Sequence, residues 1–316
     1  MNFNRMIRTA YRPFLFAHME RKGVGASFRF TQTTRHLMEL TGEQLKLTEI
    51  HLKRYLPQSQ QAYGCLVLRN RVTSDPVRVL VDRWPEFNVI VCKPKYEQKG
   101  DLFKTTVVFA KDEAVLEETL RKSSVIDWTQ YLCVDINLRH VEVFKAVARE
   151  KGVFSSSLTV SHMTIPDVSN LPSVDSSGIS LGSLDESHVD LVNQMWRYGR
   201  NERTVRMIRN MVANFPSCCV LDAEGKPVSW ILTFASCAMG VLHTLPEHRG
   251  KGYAKVVINT LAKRLHAQGY PVYGFREEEN EIHMTLFLCS HGGNKRRLWE
   301  NVWGSTALPP PHPPPV

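Results

Sequence analysis

The sequence predicts an α/β protein with mixed central sheets flanked by helices, arranged as two halves. Three observations support this. Short runs rich in β-branched and aromatic residues alternate with helical repeats along most of the chain. A Ser-rich stretch with Pro and Gly, 155–183, divides them. The 316 residues are also long enough for two domains.

In the first half, Thr41-Gly-Glu-Gln44 is a capping box opening a helix with Leu45, Leu52 and Leu56 on one side, stopped by Pro57. Strands are expected at Tyr63–Leu68, Val77–Val81, Phe87–Cys92 and Thr105–Phe109, and helices at Glu113–Lys122 and His140–Lys151. Residues 38–154 form this half, and 155–183 are a connection holding at most one short strand. In the second half, 184–281, Ser183-Leu-Asp-Glu186 is a further capping box, opening a helix through Val189, Val192 and Trp196. Asn201 caps another, with Val205, Ile208, Val212 and Phe215 on one face. Strands at Cys218–Leu221 and Val228–Thr233 are joined by the turn Asp222–Lys226. A third, Met239–Thr244, runs into a glycine turn and a long helix, and Val272–Phe275 follows. The tail 282–316 turns basic and then Pro-rich, and reads as disordered.

Composition narrows the function. At 43% hydrophobic and 22% charged, with mean hydropathy −0.24, the chain is of globular type, and no apolar run is long enough to span a membrane. The formal charge is +9. Residues 1–37 carry +6 of it and 282–316 carry +2, leaving +1 on the 244 residues between. A nucleic-acid partner is therefore not expected of the body. The Arg-rich leader with a single acid, Glu20, has the composition of a mitochondrial transit peptide, or of a basic leader without an address. A cytoplasmic or endoplasmic-reticulum location is the alternative. Seven cysteines show no metal-ligand spacing, so they read as small hydrophobes in a reducing compartment, with no metal. The chain reads as a monomer.

The chemistry concentrates in Leu242-His-Thr-Leu-Pro-Glu-His-Arg249-Gly-Lys-Gly252-Tyr-Ala254. A strand, a glycine turn and a helix start make an anion site from backbone N–H groups, and Arg249 and Lys251 add positive charge. The spacing fits neither a triphosphate loop nor a dinucleotide fingerprint.

Arg249-x-x-Gly252-x-Ala254 resembles the acetyl-CoA pyrophosphate loop of the GCN5-related N-acyltransferases. Several further words resemble the glycine N-acyltransferase family, its "glycine N-acyltransferase-like" members most. They are Val81-Asp-Arg-Trp-Pro-Glu-Phe-Asn-Val-Ile-Val, Leu191-Val-Asn-Gln-Met-Trp-Arg-Tyr-Gly-Arg-Asn-Glu-Arg, Asn214-Phe-Pro-Ser-Cys-Cys-Val-Leu, Pro227-Val-Ser-Trp and Thr244-Leu-Pro-Glu-His-Arg. The likeness covers about residues 38–281. It implies two GCN5-related halves and transfer of an acyl group from an acyl-CoA co-substrate to the amine of an amino acid of the glycine or glutamine type. It also implies coenzyme A on Leu242, Thr244 and Arg249, Gly250, Lys251, Gly252, Tyr253 and Ala254.

Two departures stand out. Where the glycine-specific members carry a Glu as general base, this chain has Ala238, which leaves His243 and Glu247 as the nearest titratable groups. In an unbulged strand His243 points away from the Ala238 face. Asn201 and Arg203 are candidates for the acceptor's carboxylate. The tail also lacks the family's closing helix and Leu-Gly-Phe strand, which would leave a sheet edge open. The alternative reading is a catalytically impaired acyl-CoA-binding protein.

Overall fold

The computed structural model describes residues 36–72, 77–95, 105–129, 132–165, 167–171, 174, 176–277 and the backbone of 295–305. The basic leader and the Pro-rich end lie outside the described residues.

The first half runs β1 (Met38–Glu39), α1 (Glu43–Lys53), α2 (Gln60–Arg71), β2 (Val77–Val81), β3 (Val89–Pro94), β4 (Thr105–Ala110), α3 (Glu113–Lys122), β5 (Leu132–Asn137) and α4 (Val141–Glu150). Half of the first expected capping box is present: the Thr41 N–H donates to Gln44 Oε1 at 3.2 Å, while Gly42 is the N-cap. Leu56 lies beyond the helix and is exposed. The expected strand Tyr63–Leu68 is instead the centre of α2, and every residue from Gln60 to Leu68 is buried. An apolar run closed on all sides carries no period, so helix and strand look alike there. Strand β5 was not expected.

The second half follows as β6 (Phe154–Thr164), β7 (Ser180–Gly182), α5 (Val189–Met195), α6 (Glu202–Asn214), β8 (Cys218–Leu221), β9 (Pro227–Thr233), β10 (Met239–Thr244), α7 (Tyr253–Ala267), β11 (Tyr273–Glu277) and β12 (Lys295–Ser305). The stretch expected to be a connection thus opens on an eleven-residue strand. The cap before α5 is Asp185, not Ser183: its carboxylate accepts from the Ser187 N–H at 2.9 Å, and His188 Nδ1 accepts from the Asp185 N–H at 3.0 Å. Ser183 Oγ donates to the Ser217 carbonyl instead.

The strands form one sheet in the order β1-β2-β3-β4-β5-β12-β6-β11-β10-β9-β8-β7. Two mixed parts, β1 to β5 and β6 to β11, meet through β12, which pairs antiparallel with both β5 and β6. Residues 295–305 are therefore a strand rather than part of a disordered tail, and the sheet edge expected to be open is covered: β6 lies along β11, and β12 along β6. The segment supplies β-forming Trp299, Val302 and Trp303, and on each side a strand edge offers unpaired main-chain groups. The remaining residues of 282–316 lie outside the described set.

One apolar core spans both halves. Leu66 and Cys65 of α2 pack in the same cluster as Trp230, Leu232, Cys237, Ala238 and Tyr273 of the second half. Separate cores lie beneath α3 and α4 and beneath α7. All six described cysteines are buried free thiols.

Candidate active site

Strand β10 makes the site. It pairs with β9 in two registers, Met239↔Thr233 and Gly240↔Leu232 first, then His243↔Trp230 and Thr244↔Ser229, with a bulge between Gly240 and His243. At the bulge Val241 has φ 53, a left-handed conformation that a β-branched residue adopts at a cost on the order of 1–3 kcal/mol. On its other side β10 pairs with β11 only at Met239↔Gly274. Beyond that point the two parallel strands part.

The alternation of main-chain bonds shows what the parted edge offers. The Leu245 N–H donates to the Val228 carbonyl at 2.9 Å, so Leu245 and His243 bond toward β9, whereas Thr244 and Leu242 point toward the opening. The Thr244 carbonyl accepts from Arg249 Nε at 3.1 Å. Leu242 and Thr244 thus stand on the open edge, joined there by the bulge residue Val241.

The strand ends at the glycine turn. Gly250 and Gly252 both have φ 79, and a Cβ on either would meet nothing within 4 Å. Gly252 is the N-cap of α7, so the first N–H groups of a fifteen-residue helix point into this space. Arg249 and Lys251 are exposed beside it, while Tyr253 and Ala254 are half-buried at the helix start. Tyr253 stacks on His248 with centroids 6.4 Å apart. The turn has the room and the donors for a diphosphate.

The bulge changes the expected place of His243. One added residue restores the side-chain parity, so Ala238, Gly240 and His243 share the face that carries Trp230, Leu232 and Phe234. His243 is half-buried and stacks on Trp230 with centroids 5.2 Å apart. Its Nε2 is buried and finds no partner among the described residues. Burial, then the Arg249 cation, holds its pKa below the usual histidine value, so the imidazole is neutral. Ala238 is fully buried. Glu247 is exposed in the short turn Pro246–His248, off the strand.

Asn201 is occupied by its own loop. Its Oδ1 accepts from the Thr204 N–H at 3.0 Å, and Nδ2 donates to the carbonyls of Tyr198 and Gly199. The side chain of Arg203 lies outside the described residues. Sequence reasoning missed the bulge, Trp230 as a stacking partner, and the Phe234 ring against Gly240. A glycine inside a β pattern was the available signal.

The first half repeats the strand–helix–parallel strand unit as β4, α3 and β5, without an opening. β4 and β5 stay paired from Thr105↔Cys133 to Val108↔Ile136. Its turn has no glycine: the Asp112 carboxylate accepts from the Val115 N–H at 3.0 Å and fills the helix start itself. Arg139 Nη2 donates to the Ala110 carbonyl at 2.6 Å, and His140 Nδ1 lies 2.9 Å from Glu113 Oε2. An anion has no place there.

Profiles of the aralkyl acyl-CoA:amino acid N-acyltransferase family match residues 37–216, and those of its C-terminal region match 218–295. The chain belongs to this family. It is 32% identical to mouse (Mus musculus) glycine N-acyltransferase over 77% of this chain and 90% of that protein. It is 30% identical to bovine (Bos taurus) glycine N-phenylacetyltransferase over 78% and 92% respectively. A crystal structure of a Drosophila structural-genomics protein superposes with TM-score 0.71 at 16% identity, covering 84% of this chain and 97% of that one. As an acyl-CoA:amino acid N-acyltransferase, the chain takes an acyl-CoA co-substrate. Family membership favours the transferase over an impaired binding protein. Among the described residues no cluster of His, Cys, Asp or Glu could hold a metal ion, and no helix is long and apolar enough to cross a membrane.

Proposed function

We propose that this transferase moves an aromatic or aralkyl acyl group onto glycine, or a glutamine-type acceptor, with His243 as proton acceptor and the parted edge of β10 as the thioester site. The observation that carries this reading is the bulge at Val241, which takes that residue out of the β9 register beside the parted edge and brings His243 onto the Ala238 face. In this reading the pyrophosphate lies on Arg249–Ala254 and the pantetheine arm runs along Leu242 and Thr244. The acceptor amine attacks the thioester carbon, and the oxyanion is held by N–H groups of Val241 and Leu242. His243 removes the ammonium proton, the C–S bond breaks, and the thiolate is reprotonated as coenzyme A. The neutral imidazole supports the assignment, because a base must be unprotonated to act. The names of the relatives support glycine as acceptor. The composition of residues 1–37 supports a mitochondrial address, which a reporter fusion of that segment tests.

The deciding experiment is His243→Gln, assayed by steady-state turnover with benzoyl-CoA and glycine. Turnover should fall on the order of 10²–10⁴-fold with little change in acyl-CoA affinity. Full turnover in the variant would remove His243 from the chemistry.

A further inference from the structure

The opening between β10 and β11 closes at the single pair Met239↔Gly274, so an acyl group brought along β10 reaches its end at Gly240 and Val241. From there it can leave by either face of the sheet. The face toward α7 is full: Met239, Val257, Ile258 and Leu261 are all buried in one cluster. The opposite face carries Gly240, and its missing side chain has an occupant. A Cβ on Gly240 would lie 3.1 Å from Cδ2 of Phe234 and closer still to Cε2. The Phe234 ring therefore lies against the β10 backbone where the opening ends. Phe275 of β11 packs against it in a tilted contact, with centroids 6.4 Å apart. Tyr273, edge-on at 5.7 Å, and His162, at 5.1 Å, hold the Phe275 ring in place. Trp230 and Tyr273 on this face are fully buried, whereas Phe234 and Phe275 keep accessible surface.

We infer that Phe234 and Phe275 are the residues that select the acyl group, a contacting ring pair whose accessible surface receives a flat aromatic acyl chain, with Gly240 admitting Phe234 to its position. The inference rests on the thioester site proposed above and goes further by naming what reads the acyl chain. Aromatic rings favour offset or edge-on contact, and an aryl acyl group packing on the accessible surface of this pair gains such contacts where a short alkyl chain does not.

The test measures kcat/KM for benzoyl-CoA and butyryl-CoA, and the affinities of both and of free coenzyme A, in the wild type, Phe234→Ala and Gly240→Ala. Phe234→Ala should lower the benzoyl-to-butyryl ratio on the order of tenfold and leave coenzyme A affinity unchanged. Gly240→Ala should shift the ratio in the same direction by displacing the ring. An unchanged ratio, or equal loss for both acyl groups, overturns the inference. A wild type that turns over neither substrate would instead overturn the proposed function. The ring pair would then be judged by affinity alone: benzoyl-CoA should bind more tightly than coenzyme A in the wild type, and the advantage should vanish in Phe234→Ala.

Discussion

Gly64 of α2 sits directly on the carbonyl of Ser236, at the tip of the β9–β10 hairpin: a Cβ on Gly64 would lie 2.8 Å from the Ser236 carbonyl carbon and overlap its oxygen. That same carbonyl accepts from the Tyr273 hydroxyl, and Cys237 Sγ donates back to the Gly64 carbonyl at 3.3 Å. A helix of the first half thus holds the turn leading into the reactive strand of the second. Gly64→Ala must push the two apart, and overpacking of this kind typically costs about 1–3 kcal/mol. A lowered urea midpoint is expected; an unchanged one would show that the contact yields freely.

Gly252→Asp places a side chain at φ 79 and a negative charge where the diphosphate is expected. Nothing lies within 4 Å of that Cβ, so the fold should survive while coenzyme A affinity falls at least on the order of 100-fold. Calorimetric titration with coenzyme A measures this. Affinity equal to wild type would place the cofactor elsewhere.

The acid limb of the pH–rate profile should lie below the ordinary histidine range, because burial and then Arg249 lower the pKa of His243. The active form is the deprotonated one, so the rate is lost as pH falls through that lowered value. Arg249→Gln removes the cation and should move the limb upward in pH, whatever it does to coenzyme A affinity. A limb that stays in place would argue that the titrating group is not His243.

Asp135 in β5 is buried, and burial raises its pKa to about 8. The unfolded chain releases this proton near pH 4, whereas the folded protein keeps it up to about pH 8. Stability is therefore lost as pH rises across that window, by about 1.4 kcal/mol per unit at most. Asp135→Asn should gain on the wild type in denaturant midpoint between pH 5 and pH 8. An advantage that does not grow with pH would show that the carboxyl is ionised in the folded state.

The closed turn of the first half limits the stoichiometry. With Asp112 occupying the start of α3 and β4 paired along β5, one coenzyme A should bind per chain. Two equivalent sites in a titration would contradict this assignment.

The sequence made the second half largely legible because its signals are local. Asn201 caps α6 through Thr204, and the glycine turn falls between an alternating strand and a helix with a clear apolar stripe. Other features depended on distant partners. Tyr63–Leu68 is buried on every side by contacts with both halves, so its helical period is invisible. The Ser-rich segment became a strand because β11 and β12 flank it. The bulge at Val241 is set by two registers against β9, and without it the alternation of β10 alone would put His243 on the face opposite Ala238.

Strand β12 has a consequence for the order in which the protein can be made. It lies at the middle of the sheet, yet residues 295–305 leave the ribosome after every other described strand. Until then β5 and β6 wait as bare edges within a nascent chain, the condition in which strands recruit wrong partners. The core around α2 can draw the halves together earlier, but the sheet between them is joined last, and any shortfall in protection during that interval should appear as aggregation rather than as reduced activity of the finished enzyme.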